Sequence, residues 1–587
     1  MPVSCSDHRR ARRLSVCVLA ALLATAQATV QAAAQTADEL AAQWEAYEAV
    51  EAKSIIALQP FRNEVTVVLP DGETQLTFIS LNPQINAWYL LTIGEGRHEA
   101  AYHLENPARE TVRVTLGDGP ALILDGPQGA ERCAPWEGDL APLAQARETG
   151  LPYAPICDGA LYLRNPVSGS RTSLERTTDF LRDHVWGGEA VVRFMRDNFF
   201  KDSQIETGEE LGVGEAVPAA GPPPAPLNVP DDARPVIGTM HEFGLSDADP
   251  GRMIEGIWYP VASLPGVFVS TIQPRSISAA ILEGPGVTNR LDSVERGATD
   301  YMVAFDLARF ELGFALGTDH PRLDWSPRPA SMRVRGLPGP DGVGAPGPLV
   351  PLGMVNPTLT GRVIATFTAG FKRQHGAFKW GPFSTVNFGS HYGFIEQGVI
   401  FSKLQPGLST LYVLDDGTIE MKSWTEADNA LLPRIRFARQ NGVPLVETDP
   451  ATGVALPGAL VTNWGAGNWS GSAKAELRTL RAGACMIRAG GTRYLVYGYF
   501  STATPSAMSR TFLAYGCDDA MLLDMNALEH TYLALYVRHG GEVHVEHLQP
   551  GMSLIDKKDR QGNLIPRFLG YPDNRDLFYL VLREDAP

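Results

Sequence analysis

Residues 504–526 read TPSAMSRTFLAYGCDDAMLLDMN, and the fold prediction starts from this stretch. Thr504 is of the type preferred at a helix N-cap, and Pro505 suits the first helical position. Apolar side chains then recur on one helical face, and Gly516 is typical of the residue that follows a helix. The pattern predicts a short helix that begins at Pro505 and ends just before Gly516.

A strand with polar residues after it is predicted directly behind this helix. Residues 520–523 are an uninterrupted apolar run, which is typical of a buried strand. Asp524 and Asn526 follow the run. In α/β sheets ligands lie outside the carboxyl ends of the strands, because side chains converge there without breaking the ladder. Asp524 is therefore the first candidate for chemistry.

Further strand patterns precede this helix and strand in the sequence, and they determine the predicted fold class. They are the apolar segments 302–306, 310–316 and 363–367, a hairpin across 412–421, and a second hairpin across 485–497. We expect an α+β fold whose C-terminal domain is strand-rich. A smaller, mostly antiparallel β domain with flanking helices is predicted to precede it.

The domain boundaries are predicted from composition. Residues 206–235 are rich in proline, glycine and alanine, and this composition is typical of a linker. The linker separates an N-terminal β-rich domain, residues 35–205, from a C-terminal domain, residues 236–587. Each part is long enough to bury its own core.

The N-terminal domain shows structural signals but no catalytic constellation. An Ala/Glu-rich helix is predicted over residues 37–57, and a hairpin turns at Asp71-Gly72. Residues 172–175, Thr-Ser-Leu-Glu, form a capping-box pattern that predicts the start of a helical region reaching to about residue 202. The role of this domain stays unassigned.

The first 34 residues are predicted to be a secretory signal peptide. Four arginines precede an apolar run, residues 14–24, that is too short to span a bilayer. Small residues permit cleavage after Ala28 or after Ala34, and we favour Ala34. The mature protein is expected to be periplasmic or secreted.

The charge of the mature chain limits the classes of partner that it can bind. Removal of the signal takes away four arginines and one aspartate, so the formal charge changes from -16 to -19. Nucleic-acid binders need a basic surface, and the mature sequence has no Lys/Arg-rich run. We therefore expect no nucleic-acid partner. We also expect no transmembrane segment, since charged residues interrupt every long apolar stretch.

Four cysteines remain after removal of the signal, and an exported chain permits disulfides. Four cysteines allow three pairings. Proximity in sequence favours Cys133 with Cys157 and Cys485 with Cys517. Metal ligation is the alternative, but the chain has no Cys-x-x-Cys pair to support it.

Four segments, taken in order, resemble the phosphodiester glycosidase domain family, relatives of the lysosomal enzyme that uncovers mannose 6-phosphate tags. The resemblance spans roughly residues 265–583. The segments are 365–378, 392–417, 439–446 together with 481–483, and 520–526. Thr368-Ala369-Gly370-Phe371 stands where the family usually has Asn-Gly-Gly-Phe. Asp524-Met525-Asn526 is similar to a form found in one bacterial branch, where the better-known branch has Asp-Gly-Gly-Gly-Ser.

The resemblance implies an exported hydrolase that cleaves a sugar-1-phosphodiester in envelope or extracellular polysaccharide, with a carbohydrate or phosphoglycan as substrate. Arginine binds two phosphate oxygens at once, so Arg481 is the predicted phosphate ligand and Lys372 the second choice. Asp524 suits either of two roles, orienting water or holding a divalent cation as a cofactor. His375 is the predicted proton donor to the leaving oxygen.

Asn526 and Thr368 complete the predicted substrate contacts. Other roles are open for the charged candidates: Arg481 can pair with a surface carboxylate, and Asp524 can cap the following turn. Lys372 and His375 can lie in a loop beside the cleft without taking part in chemistry. The competing hypothesis for the whole chain is a non-catalytic glycan-binding or envelope-organising protein that keeps the fold.

Overall fold

The structure is a computed structural model. It describes residues 54–94, 99–117, 119–137, 142–185, 191, 203–216, 221–320, 346–371, 392–462, 476–539 and 542–584. The predicted signal peptide, most of the helix predicted over 37–57, and the candidates Lys372 and His375 lie outside these residues.

The N-terminal part is built from antiparallel strands. They are β1 (Asn63–Val68), β2 (Gln75–Ser80), β3 (Trp88–Gly94), β4 (Ala100–Glu105), β5 (Arg113–Leu116), β6 (Leu122–Gly126), β7 (Gly129–Cys133), β8 (Tyr153–Ile156) and β9 (Leu161–Arg164). One sheet has the order β1-β2-β3-β4-β9-β8, and a second has the order β5-β6-β7. Alternate side chains of β2 and β3, such as Phe78 and Tyr89, enter a shared core. The hairpin predicted at Asp71-Gly72 is formed by β1 and β2.

The described residues of this part include the helices α1 (Pro142–Glu148) and α2 (Ser173–His184). The Thr172 hydroxyl accepts a hydrogen bond from the backbone N–H of Glu175 at 3.1 Å, so α2 begins where the capping pattern predicts. The helix ends at His184, because Val185 adopts an extended conformation. The predicted end of the helical region, near residue 202, lies outside the described residues.

The second part contributes most of the strands. They are β10 (Glu210–Gly214), β11 (Arg234–Gly238), β12 (Arg252–Ile254), β13 (Tyr259–Pro260), β14 (Val267–Ile272), β15 (Asp300–Asp306), β16 (Phe310–Ala315), β17 (Val363–Thr368), β18 (Phe394–Glu396), β19 (Val399–Ser402), β20 (Ser409–Leu414), β21 (Ile419–Ser423), β22 (Ile435–Gln440), β23 (Val446–Thr448), β24 (Ala455–Pro457), β25 (Thr479–Ala489), β26 (Thr492–Ala503), β27 (Cys517–Met525), β28 (Leu533–His539), β29 (Glu542–His547), β30 (Lys557–Lys558), β31 (Leu564–Ile565) and β32 (Leu577–Leu582). The helices are α3 (Ala279–Leu282) and α4 (Pro505–Ala514).

Three large sheets contain most of these strands. Their orders are β13-β14-β15-β26-β25-β27-β23-β24, β16-β32-β17-β28-β29 and β19-β18-β22-β20-β21, and all of their described pairings are antiparallel. Their inner faces share one hydrophobic core. The described chain is thus strand-rich with few helices, as the α+β prediction requires.

The segment predicted as a linker is packed in its described residues. It contains β10 and the start of β11, and Ala225 is fully buried. The Trp258 indole N–H donates to the carbonyl oxygen of Pro223 at 3.0 Å. Small side chains and proline carbonyls let this segment lie against the sheet despite its composition. The division into domains stays a prediction.

The stretch 504–526 forms the predicted helix and strand, with one correction. The Thr504 hydroxyl accepts from the backbone N–H of Ala507 at 3.2 Å and caps α4. Strand β27 is longer than predicted, because β25 pairs with it as far as the register Arg481–Met525. Asp524 therefore lies inside the strand. The neighbours of β27 run antiparallel, so the rule for carboxyl ends of parallel strands does not place the site.

Both disulfides join the predicted partners. Cys133 is bonded to Cys157 and Cys485 to Cys517, with Cα–Cα distances of 5.7 Å and 5.8 Å. The second bond links β25 to the beginning of β27 and so reinforces the strand that carries Asp524.

Candidate functional site

Asp524 is buried and bound to an arginine. Its side chain is 4 % exposed. One carboxylate oxygen, Oδ1, accepts from the backbone N–H of Met525 at 2.8 Å, and Oδ2 accepts from Nη1 of Arg575. Strand β27 thus delivers a carboxylate against a guanidinium from the residues that precede β32.

Arg575 connects three distant parts of the chain. Besides Asp524, its Nη2 donates to Oε1 of Glu175 at 3.0 Å and to Nε2 of His530 at 2.6 Å. Burial disfavours the charge of Arg575, but Glu175 and Asp524 outweigh burial and raise its pKa. The buried Nε of Arg575 has no hydrogen-bond partner among the described residues.

Partners at both ring nitrogens fix the orientation of the His530 side chain. Its Nδ1 lies 2.7 Å from the carbonyl oxygen of Met525, which can only accept, and its Nε2 faces Arg575, which can only donate. These contacts assign the neutral tautomer with the proton on Nδ1. The hydroxyl of Thr368 donates to the carbonyl oxygen of His530 at 2.6 Å. Thr368 is therefore placed beside the site, where it holds the backbone of His530.

Asp576, the residue after Arg575, forms a second buried ion pair. Asp576 Oδ2 lies 3.0 Å from Nε of Arg439, and Asp576 Oδ1 lies 2.7 Å from Nδ1 of His320. Burial acts to raise the pKa of Asp576, but His320 and Arg439 together lower it below the usual range. Arg439 also interacts electrostatically with Asp524, so the two ion pairs form one cluster.

Asn441 ties the turn after β17 to β27. Its Oδ1 accepts from the backbone N–H of Phe371 at 3.0 Å, and its Nδ2 donates to the carbonyl oxygens of Leu522 and Leu523 at 2.7 Å and 2.6 Å. A Cβ atom at Gly370 would lie only 2.6 Å from Oδ1 of Asn441, so glycine is needed for this approach. The turn at 368–371, the 439–441 segment and Asp524 are thereby brought together.

Arg481 and Asn526 bind other residues near the end of β27. The guanidinium of Arg481 is buried and donates to the carbonyl oxygens of Ala503 and Leu477 and to the sulfur of Met525. Asn526 is partly buried, and its Oδ1 accepts from the hydroxyl of Thr479 at 3.1 Å. Their predicted roles, phosphate binding and substrate contact, stay predictions.

Comparison with known proteins gives weak structural likenesses. No family model matches the chain, and no curated protein matches it. The catalytic domain of zebrafish N-acetylglucosamine-1-phosphodiester alpha-N-acetylglucosaminidase, auto-inhibited by its pro-peptide, is similar at a TM-score of 0.26 and 10% identity, over 55% of this chain and 85% of that chain. A hypothetical protein from Synechocystis is similar at a TM-score of 0.24 and 10% identity, over 84% of this chain and 97% of that chain. At TM-scores this low, neither likeness carries an argument about function.

Sequence reasoning missed Arg575, Asp576 and Glu175. A signal for the first two was present, because the polar run 573–576 directly precedes the apolar strand β32. Glu175 was interpreted only as part of a capping pattern. Its carboxylate instead reaches Arg575 and Asn574, and no local pattern could reveal partners so far along the chain.

The described residues contain no group of three or more His, Cys, Asp or Glu side chains arranged to hold a metal ion. The predicted cation-binding residue, Asp524, has Arg575 as its counter-charge instead. The chemistry that these residues can supply is binding of an anionic group by Arg575, next to a carboxylate and a neutral imidazole.

Proposed function

We propose that the protein is an exported hydrolase that cleaves a sugar-1-phosphodiester in envelope or extracellular polysaccharide. The observation that carries the proposal is the buried Asp524–Arg575–His530 cluster, in which Nε of Arg575 has no hydrogen-bond partner among the described residues. A fixed guanidinium next to a carboxylate suits a substrate that has a phosphoryl group beside an anomeric carbon. The four segments that resemble the phosphodiester glycosidase family supply the reaction type.

Each residue has a proposed task. Arg575 binds a phosphoryl oxygen through Nε, and Asp524 orients a water molecule and takes its proton. The water oxygen forms a bond to the anomeric carbon, the bond from that carbon to the phosphate oxygen breaks, and the phosphate leaves as a monoester. Asn441 and Thr368 hold the surrounding backbone.

The proposed location follows from the cysteines and the predicted signal peptide. Two disulfides fit an oxidising compartment, the periplasm or the extracellular space. In the part of the chain that the structure describes, no helix is long and apolar enough to cross a membrane.

The test is turnover of sugar-1-phosphodiesters by the mature chain, with release of free sugar as the readout. We expect Asp524→Asn and Arg575→Lys each to reduce kcat/KM by roughly a hundredfold or more, because each removes a charge or a hydrogen-bond geometry used in the transition state. Arg481→Ala tests the sequence-based assignment in parallel. Unchanged kcat/KM in both Asp524→Asn and Arg575→Lys would contradict the proposed site.

A non-catalytic glycan-binding role is the second candidate. The observation that favours it is that Arg575 and Arg439 already have buried carboxylate partners, Asp524 and Asp576, which compensate their charges without a ligand. Binding of a phosphoglycan without turnover, and loss of that binding in Arg575→Lys, would support this role over hydrolysis.

A further inference from the structure

Two exposed histidines meet on the outer hairpin of the five-stranded sheet that contains β17 and β32. Strands β28 and β29 form this hairpin, and β29 is the last strand in the order of the sheet. In the register, His539 is paired with Glu542, and Val537 is paired with His544. Because alternate residues of a strand share a face, His539 and His544 are diagonal neighbours on one face. Their ring centres lie 5.8 Å apart, and the ring planes are inclined by 51°.

The two imidazoles are free to turn toward a shared ligand. Both residues are exposed, and among the described residues neither ring forms a hydrogen bond or an ion pair. His547 of the same hairpin is different, because it is buried and its Nε2 lies 2.8 Å from Oδ2 of Asp556. The exposed pair can therefore bind a ligand without breaking a hydrogen bond of the fold.

The separation of the two rings is close to that of imidazoles bound to one metal ion. An imidazole nitrogen lies about 2.0 to 2.1 Å from bound Zn²⁺, so two rings on one ion have their centres about 4.5 to 5.5 Å apart. The observed separation is 5.8 Å. Exposed side chains can close a gap of roughly half an ångström by small rotations within their rotamers. The backbone of the hairpin does not have to move.

The charges on this face of the hairpin favour a cation. Glu542 and Glu546 lie on the same face as the two histidines. Arg538 lies on the opposite face, where its Nη1 donates to the carbonyl oxygen of Val363 at 3.0 Å. No lysine or arginine of β28 or β29 therefore shares the face of the histidine pair.

We propose that His539 and His544 form a binding site for a divalent transition-metal ion, with Cu²⁺ bound more tightly than Ni²⁺ or Zn²⁺. Imidazole suits all three ions, and the general order of affinities places Cu²⁺ first. Water completes the coordination, because the described residues bring no third histidine, cysteine or carboxylate ligand to the pair. The bound ion links two strands at the open edge of the sheet and so stabilises the folded state.

This metal site is separate from the proposed hydrolytic site. Strand β28 begins at Leu533, soon after His530, and His539 lies at its other end, about 20 Å along the strand. The metal site therefore does not depend on the proposed hydrolysis, and loss of the ion should leave turnover unchanged.

The test is calorimetric titration of the full mature chain with Cu²⁺ at about pH 7.5, where imidazole is mostly neutral. We expect the Kd for Cu²⁺ to rise on the order of a hundredfold in His539→Asn and in His544→Asn, because each variant loses the second, intramolecular ligand. Electron paramagnetic resonance should show coupling of the bound Cu²⁺ to two imidazole nitrogens in the parent.

A histidine outside the pair supplies the matched control. The His241 ring contacts Phe243 and Tyr301 rather than another histidine, so His241→Asn should leave the Kd for Cu²⁺ and the resonance spectrum unchanged. Titration with Mg²⁺ is the control for the class of ion, because Mg²⁺ prefers oxygen ligands and should not bind to the pair.

The outcomes decide whether the two histidines act together. An unchanged Kd in both His539→Asn and His544→Asn would overturn the proposal, and so would a large loss in only one of them, because a single histidine would then be the ligand. If either variant does not fold, the parent decides, since coupling of Cu²⁺ to fewer than two imidazole nitrogens would also overturn the site. Binding of Mg²⁺ that is lost in the same variants would contradict the assignment to transition metals.

Discussion

Asn441 uses both ends of its side-chain amide to fix the backbone on two sides of the candidate site. The oxygen receives the N–H of Phe371, and the NH₂ group gives its two protons to the carbonyls of Leu522 and Leu523. All the described partners are backbone atoms, and the residue is fully buried. The position of Asp524, one residue further along, depends on these bonds.

We predict that Asn441→Asp is strongly destabilising, by about 3 to 5 kcal/mol. Aspartate has nearly the same shape, but it cannot donate to the two carbonyls, and it places a charge or an unpaired oxygen in a buried position. The measurement is the free energy of unfolding in urea.

The same substitution at an exposed asparagine is the control for Asn441→Asp. Asn228 accepts from the backbone N–H of Ala279 through its oxygen, so Asn228→Asp keeps the bond and should change stability by less than about 0.5 kcal/mol. Equal effects of the two substitutions would show that the amide group of Asn441 is not what matters.

Individual site residues could be predicted only where a local pattern marks them. Asp524 follows a buried apolar run, and Thr368 and Gly370 belong to a turn after a strand, so the sequence indicated all three. Arg575 and Glu175 are separated by 400 positions in the chain, and their contact depends on how two parts of the fold dock. The sequence around neither residue indicates that the two side chains meet.

At the scale of elements, α4 packs on the eight-stranded sheet where two glycines face each other. Gly483 on β25 is paired with Gly498 on β26. A Cβ atom at Gly483 would lie 2.9 Å from side-chain atoms of both Met508 and Phe512. The absence of side chains on the strands thus lets the apolar face of the helix approach the sheet.

We predict that Gly483→Ala destabilises the protein by about 1 to 3 kcal/mol, because the added methyl group would overlap with the fully buried side chains of Met508 and Phe512. The thermal midpoint of unfolding is the readout. Gly361→Ala provides the comparison, since no atom lies within 4 Å of the added Cβ there. A loss at Gly361 as large as that at Gly483 would contradict the packing explanation.

The sequence predicted helix starts well, because residue propensity and capping act locally. It predicted strand lengths less well, because these depend on pairing with a neighbouring strand. The start of α4 and both disulfides agree with the sequence-based expectation. The length of β27 does not, because the strand continues as long as β25 offers it partners. Strand ends depend on a neighbour that the local sequence does not contain.

At the scale of the whole molecule, a buried ionic network joins the two parts of the chain. Arg164 at the end of β9 binds Glu105 and approaches Glu396 of the second part at 3.5 Å. Its Nε donates to the carbonyl oxygen of Val350 at 2.9 Å. The guanidinium also lies 4.2 Å from the ring centre of Trp88. The N-terminal part is therefore held to the second part by desolvated charges as well as by Glu175.

We predict that stability falls as pH rises from about 5 to about 8, and that Glu255 contributes to the fall. Burial raises the pKa of Glu255 to about 7, against hydrogen bonds from Ser276 and Gln273 that lower it. The folded state therefore keeps a proton that the unfolded state releases. The stabilising contribution is complete below the ordinary pKa of 4.5 and is lost as pH rises through about 7.

Urea unfolding at about pH 5 and about pH 8 tests this prediction in the parent and in Glu255→Gln. The variant has no proton to lose, so its stability should fall less than that of the parent, by on the order of 1 to 3 kcal/mol. The fall that remains is assigned to other carboxylates whose pKa burial raises, such as Asp300, Glu396 and Asp519. Glu110→Gln, at an exposed glutamate, should behave like the parent. Identical pH dependence in Glu255→Gln and the parent would contradict the prediction.

The position of strand β32 affects the order in which the protein folds. It lies between β16 and β17, yet it comes far later in the chain than either of them. Until β32 is inserted, both neighbours keep an unpaired edge that can recruit another chain. Such long-range pairing is slow, so intermediates with open edges should need protection from aggregation. Because Arg575 and Asp576 immediately precede β32, the candidate site should be among the last features of the protein to form.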